Sequence, residues 1–358
     1  MIYNCHLHTF KDVDIPEQFL PLHIVRLLAN NKAFAIIGKI LNNINPFSDD
    51  DVFDRYVKFV EIGKLGSQQK IFEECKKYYP ENTKFAVLSM DMKYMGAGKV
   101  PRDFHLQIEE LANLSKKYSE VIPFLHVDPR RESIFDILKN AVENQGFKGV
   151  KIYPTIGYFP YDERLYPVYS YCEQHNIPII THCSPNNPTF FKGSDKELQI
   201  LLSKSKVPID FQCKTRKELC ANFTNPKNWI YVMNDFPSIK ICAAHFGSDY
   251  YWEKYLKKPE NQNNWLVIIK ELIEQYPNFY TDISFTLNEK RFFPILKSIL
   301  ENDKINNKVL FGTDYYMLET KADENRFLND LKSYIGEDLF SLIATKTPSE
   351  FFNENLIV

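Results

Sequence analysis

The chain is a succession of short apolar runs separated by stretches with helical spacing. The runs are Ile2–His8, Lys84–Met90, Val121–Val127, Phe147–Tyr153, Ile177–Cys183, Ile239–His245, Asn278–Phe285 and Lys308–Asp314. Each has the length of a strand, and β-branched and aromatic residues recur in them. Between them, apolar residues repeat at helical intervals over Phe104–Tyr118, Ile134–Glu143, Glu163–His175, a segment near Trp229, Trp265–Gln275 and Pro294–Leu300, and again beyond about Asp323. Asp128-Pro129 reads as a helix start and Pro154 as a strand stop. Ser184 to Pro226 reads as a loop-rich stretch.

Eight strands alternating with helices predict an α/β fold, a closed (β/α)8 TIM barrel, in a single domain spanning 1–358. The segment from Lys11 to Tyr79 carries helical periodicity and few strand signals, with Asn45-Pro46 and Ser48-Asp49-Asp50 as a turn and helix start. It is too long for an ordinary connection, so a helical insertion over about 11–80 is expected after the first strand. A doubly wound open sheet is the competing topology, but no glycine-rich dinucleotide fingerprint follows any strand.

Composition adds limits. At 358 residues with 44% hydrophobic content, the chain can bury a large core. Lys+Arg 44 against Asp+Glu 46 leaves a net charge of −2, which gives no basis for a nucleic-acid or membrane partner. The seven cysteines are odd in number and form no Cys-x-x-Cys pair, as expected of reduced thiols. The first residues enter a strand at once, leaving no room for a signal peptide, and no apolar run is long enough to span a bilayer. A soluble, cytoplasmic protein acting on a small molecule is expected.

The informative polar residues fall at strand ends. Side chains two apart on a strand share a face, so His6 and His8 present both imidazoles on one side. Lys151 lies within the fourth strand; His182, His245 and Asp314 end the fifth, sixth and eighth. Each alone has an ordinary reading as a core histidine, a turn cap or a paired buried lysine. A barrel brings all of them to one opening, where imidazoles and a carboxylate make a site for a divalent metal, Zn²⁺ or a similar ion. His23, His105 and His175 fall in helical segments and keep the ordinary reading, while His126, in a strand, is a possible lining residue.

The residues Asn4-Cys5-His6-Leu7-His8, Gly149-Val150-Lys151-Ile152-Tyr153-Pro154, Pro178-Ile179-Ile180-Thr181-His182, Ala243-Ala244-His245-Phe246-Gly247 and Leu310-Phe311-Gly312-Thr313-Asp314-Tyr315 resemble, as an ordered set, the amidohydrolase superfamily. The resemblance is strongest to its amidohydrolase-related branch of hydrolases and decarboxylases, and Thr347-Pro348-Ser349-Glu350-Phe351-Phe352 resembles that family's tail. It implies a metal held by His6, His8, His182 and Asp314, with His245 as a further ligand or an acid/base group. It also implies one or two ions, because members with two bridge them through a carboxylated lysine at the place of Lys151, and it implies a homo-oligomer. Asn4 departs from the family, which usually has an acid there, altering the support of the strand-one histidines.

From such a site follows metal-assisted hydrolysis of an amide, lactone or ester, with Asp314 as proton acceptor and His245 stabilising the oxyanion. The alternative is decarboxylation or hydration of a small carboxylic acid, with Lys93, Arg130 and Arg131 as candidate carboxylate clamps. Cys5-His6-Leu7-His8-Thr9 also resembles the opening of the PHP phosphoesterases, but Tyr316 stands where that family places a histidine after its late aspartate. A non-catalytic metal-binding protein is the remaining reading.

Overall fold

A computed structural model describes residues 1–18, 58–59, 61–185, 190, 192–209, 211, 213, 215–302 and 304–354. Eight strands lie parallel in chain order: β1 (Ile2–Leu7), β2 (Thr83–Leu88), β3 (Val121–His126), β4 (Gly149–Ile152), β5 (Ile179–Thr181), β6 (Ile241–Ala243), β7 (Phe279–Asp282) and β8 (Val309–Leu310). The ring closes between the last and the first. The Cys5 amide donates to the Phe311 carbonyl at 2.9 Å, the Asp314 amide donates to the His6 carbonyl at 2.8 Å, and Leu7 bridges in parallel to Tyr315. This is the expected (β/α)8 TIM barrel.

Helices α1 (Gln68–Lys76), α2 (Phe104–Lys117), α3 (Ile134–Gln145), α4 (Tyr166–Gln174), α5 (Asp195–Leu202), α6 (Arg216–Ala221), α7 (Trp229–Asp235), α8 (Asp249–Lys257), α9 (Trp265–Gln275), α10 (Phe293–Asn302), α11 (Glu324–Ile335), α12 (Glu337–Ser341) and α13 (Thr347–Phe351) follow in order. Of the insertion expected over 11–80, residues 19–57 lie outside the described residues, and α1 is a described helix within it. The stretch read as loop-rich, Ser184 to Pro226, contains α5 and α6. Both begin with a capping box: the Ser194 hydroxyl accepts from the Glu197 amide and Thr215 from the Glu218 amide, with each glutamate bonding back. Those Ser/Thr-x-x-Glu spacings are start signals that outweigh the loop-like composition around them.

The strands alternate between an outer face, packed on the helices, and an inner one. Ile122 and Phe124 of β3, Ile180 of β5, Cys242 of β6 and Tyr280 of β7 fill the interior, while Leu125, Val150 and Ile179 join the outer core. At the N-terminal end of the barrel, α13 supplies the plug. Phe351 packs on Tyr280 at 5.1 Å between ring centroids, and Phe352 stacks on Tyr3 at 5.8 Å. The same inward parity, carried to the C-terminal ends of the strands, selects the residues of the opposite mouth.

Candidate metal centre

On β1 the parity would send His6 outward, because Tyr3 and Cys5 belong to the interior. A bulge reverses it. Asn4 pairs with Phe85 but Leu7 pairs with Val87, so an extra residue is inserted, Leu7 joins the outer core, and His6 and His8 face the mouth. Asn4 ties the irregular backbone: its Oδ1 accepts from the His6 amide at 3.3 Å and from the Thr313 amide at 3.2 Å. Its Nδ2 donates to Tyr79 Oη at 2.9 Å and Thr313 Oγ1 at 2.8 Å, a pair of bonds a carboxylate has no protons to make. Gly312 lets β8 approach here, since a Cβ on it would lie 2.9 Å from His6 Cβ.

The other predicted residues arrive by regular alternation or by a turned backbone. Lys151 follows Gly149 inward on β4, and its Nζ lies 3.3 Å from His6 Nε2. His182 stacks on Tyr153, with ring centroids 4.3 Å apart. His245 and Asp314, just past β6 and β8, have positive φ angles of 67° and 64°, strained backbone that redirects both side chains.

The six converge. His6, His245 and Asp314 each offer one donor atom, and the three lie within 4.8 Å of one another. His8 Nε2 is 3.4 Å and His6 Nε2 3.7 Å from Asp314 Oδ1, and His182 Nδ1 is 3.1 Å from His245 Nε2. His8 and His182 therefore flank the tightest trio. His105 is exposed on α2, His175 packs on Tyr171 at the end of α4, and His23 lies outside the described residues.

Hydrogen bonds fix which ring nitrogens carry protons. His6 Nδ1 faces Asp282 Oδ2 at 2.9 Å, His8 Nδ1 faces the Leu88 carbonyl at 2.9 Å, and His245 Nδ1 faces the Ser284 carbonyl at 2.9 Å. Each oxygen accepts a proton from Nδ1, which leaves the three Nε2 atoms as electron-pair donors. With His245 Nε2 an acceptor, His182 Nδ1 donates to it, and His182 Nε2 is left as a bare acceptor. That atom and Asp314 Oδ1 are buried without a hydrogen-bond partner among the described residues. Such orphaned acceptors are costly unless a cation satisfies them, so the donor set fits a divalent ion.

The electrostatics agree. Burial first, and then Lys151, lowers His6 to about 4; burial and His6 lower His245 to about 3; His8 and His182 also fall well below the ordinary range through burial. All four imidazoles are neutral at pH 7, as metal ligation requires. Burial raises Asp314 well above the usual carboxylate range, a shift that a neighbouring cation would reverse, and lowers Lys151 to about 8.

Two functional neighbours were not singled out from sequence. Asp282, ending β7, is fully buried, yet His6 and His245 hold it well below the ordinary range against that burial. It accepts from His6 Nδ1 and, at 2.9 Å, from the His245 backbone amide, so one carboxylate orients the His6 imidazole and pins the turned backbone of His245. Ser284 adds its hydroxyl, 2.9 Å from His245 Nδ1. The signal for Asp282 was present: an acid at the inward end of a strand, where five other strands carry their polar residue. Among the candidate clamps, Arg130 is committed to Asp128 at 2.5 Å and Arg131 to Asp91, while Lys93 lies over the Tyr94 ring.

A family model described as amidohydrolase matches residues 78–353. The chain belongs to the amidohydrolase family. The matched span carries β2 to β8 and every site residue except those of β1. Among solved structures, 5-carboxyvanillate decarboxylase from Novosphingobium aromaticivorans, with bound manganese and 3-methoxy-4-hydroxy-5-nitrobenzoic acid, is similar at 12% identity and a TM-score of 0.58, covering 99% of this chain and 97% of that one. An uncharacterised TIM-barrel protein, Bb4693 from Bordetella bronchiseptica, is similar at 14% identity and a TM-score of 0.54, covering 98% of both chains. At these identities the shared property is the fold. No curated protein matches the chain. Among the described residues no helix is long and apolar enough to cross a membrane.

Proposed function

We propose that this amidohydrolase-family protein is a metal-dependent hydrolase of small amides, lactones or esters. In this reading His6, His245 and Asp314 hold a divalent ion, zinc or a similar metal, with His8 and His182 completing the donor set. The observation that carries it is the pair of orphaned buried acceptors, Asp314 Oδ1 and His182 Nε2, beside His6, His8 and His245, whose ring protons are directed elsewhere. When bound, the ion supplies Lewis acidity and a water acidified to near neutrality.

The chain's own residues supply the rest. The Asp314 carboxylate takes the proton released as water attacks, and returns it to the leaving group. Asp282 keeps His6 in one tautomer and holds the His245 backbone, while the Ser284 carbonyl keeps the His245 ring in its tautomer. Lys151 places an N–H donor beside His6 on the β4 side; carboxylated, it would be the bridge of a two-ion site. A small-molecule substrate and a homo-oligomer complete the proposal.

The second reading is decarboxylation of a small carboxylic acid, the reaction named for the Novosphingobium fold neighbour. Assay of the zinc-loaded protein against a panel of small amides, lactones, esters and aromatic acids separates the two. Proton release without carbon dioxide supports hydrolysis; carbon dioxide release supports the lyase; neither, with metal bound, argues against both.

A further inference from the structure

His126 ends β3 on the inward face. It follows Ile122 and Phe124 of the barrel interior by strict alternation and pairs in register with Lys151, whose amine reaches His6. Its ring is fully buried, edge-on to Tyr153 at 6.3 Å, and Tyr153 in turn stacks on His182. The Asp91 backbone amide lies 2.6 Å from His126 Nδ1. A backbone amide can only donate, so Nδ1 is the acceptor and the ring proton sits on Nε2. That Nε2–H is buried and has no partner among the described residues.

The tautomer is locked from outside the site. Asp91 is held by Arg131, whose guanidinium also lies over the Tyr94 and Phe104 rings at 5.6 and 5.0 Å. Arg131 is thus a strut for the loop that carries the Asp91 amide, and not a free clamp. Burial lowers His126 to about 4, so it remains a neutral donor across the physiological range. The mouth then has two unlike sides: acceptors on β1, β5 and β8, and a fixed donor on β3.

We infer that His126 Nε2–H binds an oxygen acceptor of the substrate, a carboxylate or carbonyl, and orients it across the centre toward His6 and Asp314. Such a donor favours an oxygen ligand over a protonated amine, which has only N–H donors to set against it. The inference rests on the proposed metal-dependent reading for its reaction, but not for the tautomer.

The test uses benzoate as the oxygen probe and benzylamine as its counterpart, added to zinc-loaded protein. Two-bond ¹H–¹⁵N spectra of the histidine rings should show His126 protonated at Nε2, with its signal shifted by benzoate and not by benzylamine. His126→Phe should weaken benzoate binding about tenfold with zinc content unchanged, and His126→Gln, which can offer an N–H, should recover part of the loss. A proton on Nδ1, no response of His126 to benzoate, equal benzoate affinity in His126→Phe, or loss of zinc in that variant would each overturn the inference. The first two readouts need only the wild type, so misfolding of a variant leaves the inference exposed to them. A protein that takes up no zinc, yet whose His126 Nε2–H still responds to benzoate, would sink the metal reading alone.

Discussion

The two ends of the barrel interior are built by the same strands with the same alternation, and they differ in what they demand of it. At the base, Tyr3, Phe124 and Tyr280 meet Phe351 and Phe352 in contacts that are apolar and interchangeable in kind. At the mouth, the residues that make the site are polar and each has a direction. The strands reach it through irregularities: a bulge in β1, positive φ at His245 and Asp314, and a glycine where β8 closes on His6. Volume decides the base. Proton position decides the mouth.

The largest effect is expected at the base. Phe351→Ala removes the plug and should cost about 3–5 kcal/mol of stability, read by urea unfolding, while the folded variant keeps its zinc stoichiometry. An equal loss of metal affinity would mean the two ends are not separable.

Next is Glu324, which lies between the two regions' concerns as a buried acid behind the mouth. It accepts from Tyr79 Oη at 2.5 Å and Thr313 Oγ1 at 2.7 Å, the groups that Asn4 also binds. Burial raises it from 4.5 to about 7. Its proton is therefore favoured by the folded state: the stabilisation is fully present below pH 4.5 and is lost as pH rises through about 7. Unfolding of wild type across that window should show a decline of about 2–3 kcal/mol from this group, and Glu324→Gln should flatten it. An unchanged slope in the variant would refute the assignment.

At the mouth itself, Asp282→Asn preserves volume but disturbs the ring proton of His6 and the bond that holds the His245 backbone. Zinc affinity, measured by competition with a chelating indicator, should fall about 10–100-fold with a change in unfolding free energy below about 1.5 kcal/mol. Wild-type zinc affinity in this variant would show that ring orientation is set elsewhere. The smallest effect sharpens the contrast: Asn4→Asp retains the acceptors for the His6 and Thr313 amides and removes two donors, so stability should fall by about 1–3 kcal/mol with zinc still bound.

The eight-strand alternation was legible because each strand is an apolar run with turn signals around it. So was the convergence of His6, His8, Lys151, His182, His245 and Asp314, since strand ends in a barrel share one rim. The β1 bulge was not: alternation puts His6 and His8 on one face but is silent on which, and the answer depends on Asn4 meeting Thr313 and Tyr79 from distant parts of the chain. Helices α5 and α6 were readable from their capping boxes, yet polar composition hid them. Asp282 carried the same strand-end signal as the others, and its role as a shared partner of the His6 ring and the His245 backbone depends on the closeness of β1, β6 and β7 in space. The tautomer of His126 rests on a backbone amide, which no side-chain pattern records.

Metal content is the most direct measurement. Purified protein equilibrated with Zn²⁺ and passed through a desalting column should retain zinc, and Asp314→Ala should retain little or none while remaining folded by circular dichroism. Lys151→Ala should keep one equivalent if a single ion is held, and should drop the count from two to one or none if Lys151 bridges a pair. Wild-type protein that emerges without zinc or any other divalent metal, or Asp314→Ala that binds zinc as tightly as wild type, would contradict a centre built on these donors.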